Sequence, residues 1–209
     1  MKMSLSPPTF GLTGGVACGK STVARFIQDL GASLIDADRI GHELIAPGQA
    51  AYGEILQRFG EDILDPARSI DRRKLGALVF ASPEQLHDLN AIVHPRVIAR
   101  IKELAHEYHE RDPHAVVILD APLIFESGIA GTLRKVIVAW CRPEQQVERL
   151  MAKRGVSLQE AEMRIRAQMP VDEKRRRADY EIDCSGSKDN TRAQVEALYP
   201  ELRRIVEGR

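Results

Sequence analysis

Gly14-Gly15-Val16-Ala17-Cys18-Gly19-Lys20-Ser21 fits G-x-x-x-x-G-K-[ST] and constrains the chain more than any other segment. The pattern requires a strand, a glycine-rich loop and then a helix. Both flanks comply. Thr9–Thr13 is short, apolar and β-branched, as a strand is. After the loop, Val23, Phe26, Ile27 and Leu30 fall at helical spacing. In such a loop, backbone N–H groups converge on phosphate oxygens, and the following helix adds unpaired donors and the positive end of its dipole. Gly14, Gly15, Ala17, Cys18, Gly19, Lys20, Ser21 and Thr22 are therefore the candidate nucleotide-binding residues. Lys20 supplies a point charge to the β- and γ-phosphates, and the Ser21 hydroxyl is a candidate Mg²⁺ ligand. Cys18, beside a helix N-terminus, is expected to carry an acidified thiol.

The rest of the chain alternates strands with helices. Ala32–Asp36 reads as a second strand, and Ala115–Asp120 and Lys135–Trp140 are continuous apolar runs of the kind buried on both faces. Glu181–Asp183 reads as a last short strand. Helical spacing is expected over 40–45, 51–59 with Gly60 as its stop, from a cap at Ser69 or Asp71 to Phe80, and from Ser82-Pro83-Glu84 onward. His94-Pro95 is expected to interrupt that run, with Pro95 starting a new helix to about Tyr108. Pro143–Arg154, a helix opened by the Ser157-Leu158-Gln159-Glu160 capping box, and 191–206 complete the set. The fold class this predicts is α/β, with a central parallel five-stranded sheet flanked by helices. Two helical stretches break the alternation, near 40–110 and 157–178, where a phosphate-loop protein would carry an acceptor-binding region and a lid.

Composition removes other classes. The 30 basic and 30 acidic residues give a formal net charge of +0, which argues against a surface built to grip nucleic acid. Three widely spaced cysteines with no C-x-x-C suggest a reducing compartment and no zinc site. No apolar run is long enough to span a membrane and none resembles a secretory signal, so a cytoplasmic location is expected.

Carboxylates and cations then suggest chemistry. Asp36 and Asp38 end the second strand, on the side where open α/β sheets bind ligands. Asp38 either accepts a proton from an acceptor hydroxyl or caps the helix at Arg39, or does both. Asp120 ends an apolar strand as a Walker-B acid does, or is a turn residue. Pro122-Leu123-Ile124-Phe125-Glu126 either lines a pocket or packs on the core. Arg164, Arg166, Lys174, Arg175, Arg176 and Arg177 form a basic stretch that reads as a lid able to neutralise a triphosphate, against the commoner reading of a solvated face.

Taken in order, Leu12–Gly15 through Lys20-Ser21-Thr22, Ile35-Asp36-Ala37-Asp38, His94-Pro95, Asp120–Glu126, Arg164–Gln168, Ala178–Asp183 and Ser185-Gly186-Ser187 resemble the motifs of the dephospho-CoA kinase family, over about Thr9 to Val206. The resemblance implies one P-loop kinase domain over 9–207. Its nucleotide-binding core would be 9–36, 115–156 and 179–207, its acceptor-binding region 38–110 and its lid 157–178. It implies ATP as phosphoryl donor with Mg²⁺, and the ribose 3′-hydroxyl of 3′-dephospho-CoA as acceptor, the last step of coenzyme A synthesis. Lys20, Asp38 and Arg164 would be catalytic, and His94, Pro122, Leu123 and Phe125 would lie on the acceptor side. ATP and 3′-dephospho-CoA are the partners implied, with no nucleic acid, membrane or obligate protein partner. Cys184 departs from the family pattern, which often has Asn there. A nucleoside-monophosphate kinase shares loop, acceptor helices and lid and is the closer rival. A GTPase is disfavoured because Cys141-Arg142-Pro143-Glu144 lacks the guanine-reading motif. A nucleotide-sensing adaptor without turnover is disfavoured by the pairing of Asp38 with Arg164.

Overall fold

β1 (Thr9–Gly14) is buried at every residue, because it is the middle strand of the sheet. The computed structural model describes residues 7–208. It contains β2 (Ser33–Asp36), β3 (Val117–Asp120), β4 (Val136–Trp140) and β5 (Tyr180–Asp183), joined in the parallel order β2-β3-β1-β4-β5. The register pairs Thr9 with Val117 and Leu12 with Asp120, Gly11 with Val136 and Gly14 with Ala139, and Ile137 with Tyr180. The carboxyl ends of the strands thus share one edge of the sheet. That edge carries the loop after β1 and the carboxylate of Asp120.

The helices are α1 (Lys20–Asp29), α2 (Ala37–Leu44), α3 (Tyr52–Phe59), α4 (Arg72–Ala81), α5 (Pro83–Arg111), α6 (Pro143–Arg154), α7 (Leu158–Arg166), α8 (Val171–Arg177) and α9 (Lys188–Val206). Two compact units emerge: the described residues up to Ile35 with those from Ala105 onward, and Asp36–Leu104. In the first, α1 and α9 cover the sheet. Phe26 and Ile27 of α1 and Val195 and Leu202 of α9 join Phe10, Leu12, Ile118 and Ile137 in one core. Each such side chain contributes about 1.5–3 kcal/mol by leaving water. In the second unit Ile55, Ile63, Leu75 and Val79 form a separate core. Most of the 38–110 region expected to bind the acceptor, His94 included, falls in this second unit, whereas Pro122, Leu123, Phe125 and the residues expected to form the lid fall in the first.

Most element boundaries follow local signals. Asp71 caps α4, accepting from the N–H groups of Arg73 at 2.8 Å and Lys74 at 3.4 Å. Ser157 caps α7 through the N–H of Glu160, and Gly60 ends α3 with φ 80. One expectation fails. His94-Pro95 does not interrupt the helix: α5 runs unbroken through Pro95. Ala91, whose carbonyl loses its i+4 donor, and Pro95 both lie at exposed positions. The neighbouring carbonyl of Ile92 accepts a hydrogen bond from the Arg96 guanidinium at 2.6 Å. Exposure at Ala91 thus lets solvent offset the bond the proline removes.

Candidate active site

The loop after β1 is shaped by two left-handed residues, Ala17 at φ 60 and Gly19 at φ 102. For alanine that conformation costs about 1–2 kcal/mol, a strain expected where the backbone is arranged for a ligand. Gly19 is the N-cap of α1 and offers it no side chain. By contrast, Asp36, Asp71, Ser157 and Ser187 cap α2, α4, α7 and α9 with side-chain oxygens. No acidic residue lies in the first turn of α1 either, so this start presents its donors and dipole without an internal anion. Gly15 is required for a reason the motif alone does not convey. A Cβ there would lie 2.7 Å from Nε2 of Gln146, whose amide donates to the carbonyl of Val16 at 2.8 Å. Gln146, buried on α6, therefore braces the loop from behind. Its sequence signal is slight: one polar residue a turn before buried Leu150.

Lys20 opens α1, and its ammonium forms an ion pair with the Asp120 carboxylate. Asp120 thereby belongs to the loop's surroundings rather than to a remote turn. Ser21 is exposed in the first turn of α1. Among the described residues no group of three or more His, Cys, Asp or Glu side chains could cage a metal ion. Mg²⁺ keeps waters and binds through one or two protein oxygens plus phosphates, and the Ser21 hydroxyl and the Asp120 carboxylate are oxygens of that kind.

The expected acidified thiol at Cys18 is not found. Cys18 is completely buried, and its hydrogen bond to Cys141, together with that burial, pushes its pKa well above the thiol range. Cys141, the acceptor, is held below its ordinary value chiefly by that same bond. Burial pushes Cys184 up to about 11. The helix N-terminus cannot acidify a thiol that points into the core.

The two carboxylates after β2 divide their roles. Asp36 is the cap of α2, accepting from the N–H of Arg39 at 2.9 Å. Asp38 lies inside the first turn and is exposed, so the helix-cap reading of Asp38 is corrected. His94 is exposed in the middle of α5.

The basic stretch also divides. Arg164 and Arg166 on α7 are exposed, paired with Glu160 at 2.7 Å and Glu162 at 3.0 Å one turn earlier. Such exposed pairs are worth about 0.3–0.5 kcal/mol, so these guanidinium groups exchange partners cheaply. Lys174 and Arg175 do not belong to a mobile cationic surface. Lys174 is fully buried, and Arg175 lies 3.7 Å over the Trp140 ring and bonds Glu181 at 2.7 Å. In the segment after β3, Leu123 is exposed and Pro122 half-buried, while Phe125 is buried with Arg177 stacked over its ring at 4.9 Å.

A strand-loop-helix phosphate site with a paired lysine and an arginine-bearing helix is shared by many kinases. Comparison with known proteins decides among them. The dephospho-CoA kinase family model matches residues 9–190. The chain belongs to the dephospho-CoA kinase family. It is 45% identical to a dephospho-CoA kinase of Carboxydothermus hydrogenoformans, over 90% of this chain and 91% of that one. It is 48% identical to a dephospho-CoA kinase of Symbiobacterium thermophilum, over 90% and 79%. Among solved structures it resembles TT1252 from Thermus thermophilus, with 35% identity, a TM-score of 0.79, and coverage of 94% of this chain and 98% of that one. A dephospho-CoA kinase from Campylobacter jejuni gives 28% identity and a TM-score of 0.62, over 93% and 96%. In this family member, no helix among the described residues is long and apolar enough to cross a membrane.

Proposed function

We infer that this chain transfers the γ-phosphoryl group of ATP to the ribose 3′-hydroxyl of 3′-dephospho-CoA, giving coenzyme A and ADP. The observation that carries this is the family match across residues 9–190. The nucleoside-monophosphate kinase reading has no comparable support.

The roles follow from the chemistry of phosphoryl transfer, in which placement and charge neutralisation supply most of the acceleration. Backbone donors of Gly14–Gly19 and the start of α1 hold the β- and γ-phosphates. Lys20, drawn from Asp120, neutralises charge on the transferring group. Ser21 would hold Mg²⁺, with Asp120 close by; the ion, when bound, withdraws charge from the phosphate oxygens. Asp38 accepts the proton of the attacking hydroxyl, a role to which it is free because Asp36 already caps α2. Arg164 brings a further cation to the phosphates. His94, Pro122 and Leu123 serve the acceptor side; Phe125 serves it by supporting the segment from below, since its ring is covered by Arg177.

The test is ADP release coupled to a reporter, with dephospho-CoA, AMP and CMP as acceptors in turn. ADP formation with dephospho-CoA that exceeds the other two by orders of magnitude is expected, together with loss of turnover in a folded Lys20→Ala variant. Preference for AMP or CMP would return the chain to the nucleoside-monophosphate kinases.

A further inference from the structure

Lys174 is a lysine with no exposed surface, and nothing in the phosphate-loop pattern asks for it. Its ammonium lies 2.8 Å from Oε1 of Glu126 and donates to the carbonyl oxygen of Pro122 at 2.6 Å. Each partner has a second bond. The Pro122 carbonyl also accepts from Oγ1 of Thr13 at 3.0 Å, and Thr13 is the residue before Gly14 on β1. The Glu126 carboxylate also accepts from the N–H of Met169 at 3.0 Å, in the link between α7 and α8. One buried ammonium therefore joins three segments: the strand that delivers the phosphate loop, the loop after β3, and the root of the helix that carries Arg164.

Energy alone does not explain such a residue. A buried ion pair sacrifices hydration that an apolar pair of the same volume would not, so it is a poor device for stability. It is a good device for specifying one arrangement, because the ammonium demands oxygens at fixed places. Burial on its own would raise the Glu126 pKa; the hydrogen bonds from Lys174 and the Met169 N–H more than offset this and hold the carboxylate ionised. Met169 stands three residues after Arg166 and five after Arg164, so its anchor ties down the chain just beyond the end of α7. Arg177 reinforces the same joint, stacked on Phe125 and in contact with Sδ of Met169 at 3.7 Å.

We propose that Lys174 and Glu126 are positioning residues for phosphoryl transfer, locking the root of α7 to the phosphate-loop strand so that Arg164 reaches the transferring group. The proposal rests on the reading of α7 as a lid that acts through Arg164.

The test is a double-mutant cycle. Lys174→Met alone leaves a carboxylate without its partner and is a risky variant, so Lys174→Met with Glu126→Gln, which removes both charges at similar volume, carries the experiment. Thermal unfolding verifies the fold. The paired variant should lose about 10- to 100-fold in kcat, the penalty for a misplaced catalytic group. Its calorimetric ATP affinity should stay within about 3-fold, because Lys20 and the loop are unchanged. Introduced into Arg164→Ala, the same pair should cost less than about 3-fold more, because residues acting through one group are not additive. A full penalty repeated in the Arg164→Ala background would overturn the positioning role while leaving the lid intact. Wild-type kcat in the paired variant would overturn it directly. If Arg164→Ala alone turned over normally, the lid reading would fall, and the proposal with it.

Discussion

Lys20, the first residue of α1, and Asp120, the last of β3, lie 100 residues apart in sequence and form an ion pair. The pair defines a competition. Phosphate oxygens entering the loop must draw the ammonium away from the carboxylate, and the carboxylate then faces an anion unless a cation lies between them. On the proposed reading, Asp120 would then be available to Mg²⁺ when Lys20 turns to the nucleotide.

Asp120→Asn tests this. The amide retains the shape and loses the charge. Half-saturation for Mg²⁺, read from kcat at fixed ATP, should rise about 10- to 100-fold, the usual cost of removing an outer partner of a bound metal. An unchanged Mg²⁺ dependence would reduce Asp120 to a tether for Lys20.

Asp36 and Asp38 should separate stability from turnover. Asp36→Ala removes the cap of α2 and should cost about 1 kcal/mol in thermal or denaturant unfolding. Asp38→Asn should leave stability nearly untouched and lower kcat by about 10²- to 10⁴-fold, the range for a general base. The lower end is expected, because in a loose transition state the hydroxyl loses its proton late. Calorimetry should show ATP binding preserved. Full activity of Asp38→Asn would remove the residue from the chemistry.

Arg164→Ala should behave in the opposite way to a core substitution. Its pair with Glu160 is solvent-exposed, so unfolding should shift by no more than about 0.5 kcal/mol. The rate of phosphoryl transfer should fall about 10- to 1000-fold, less than for a sole arginine finger because neighbouring cations, Lys20 among those assigned to the phosphates, partly substitute. Unaltered kinetics would leave Arg164 a surface charge.

The cysteines should be inert in the folded protein. Cys18, Cys141 and Cys184 are all buried, and two of the three thiols are pushed upward in pKa. A thiol reagent should react slowly with the native protein and label three sites after denaturation. Rapid native labelling of one site, lost on adding MgATP, would show that Cys18 opens to the loop surface.

Local residues determined a large part of this protein. The phosphate loop, the strands Thr9–Gly14 and Val136–Trp140, the caps at Asp71 and Ser157 and the stop at Gly60 are each marked by their own residues (glycine spacing, continuous apolar runs, capping side chains), so their signals stand in the sequence even where, as for the strands, distant partners complete them. The ordered motifs likewise announced the family. Tertiary structure alone decided which charges are sealed in and which stay exposed. Lys174 and Arg164 are both cations in one basic stretch, yet the first is sealed against Pro122 and Glu126 and the second faces solvent. Asp36 and Asp38 differ by the pitch of a helix that starts three residues before the apolar spacing suggests. Gln146 behind the loop, and Cys18 turned inward onto Cys141, owe their roles to elements more than a hundred residues away. Charge and polarity are properties of a residue, but burial and partnership are properties of the packed chain, and these set what each charge can do.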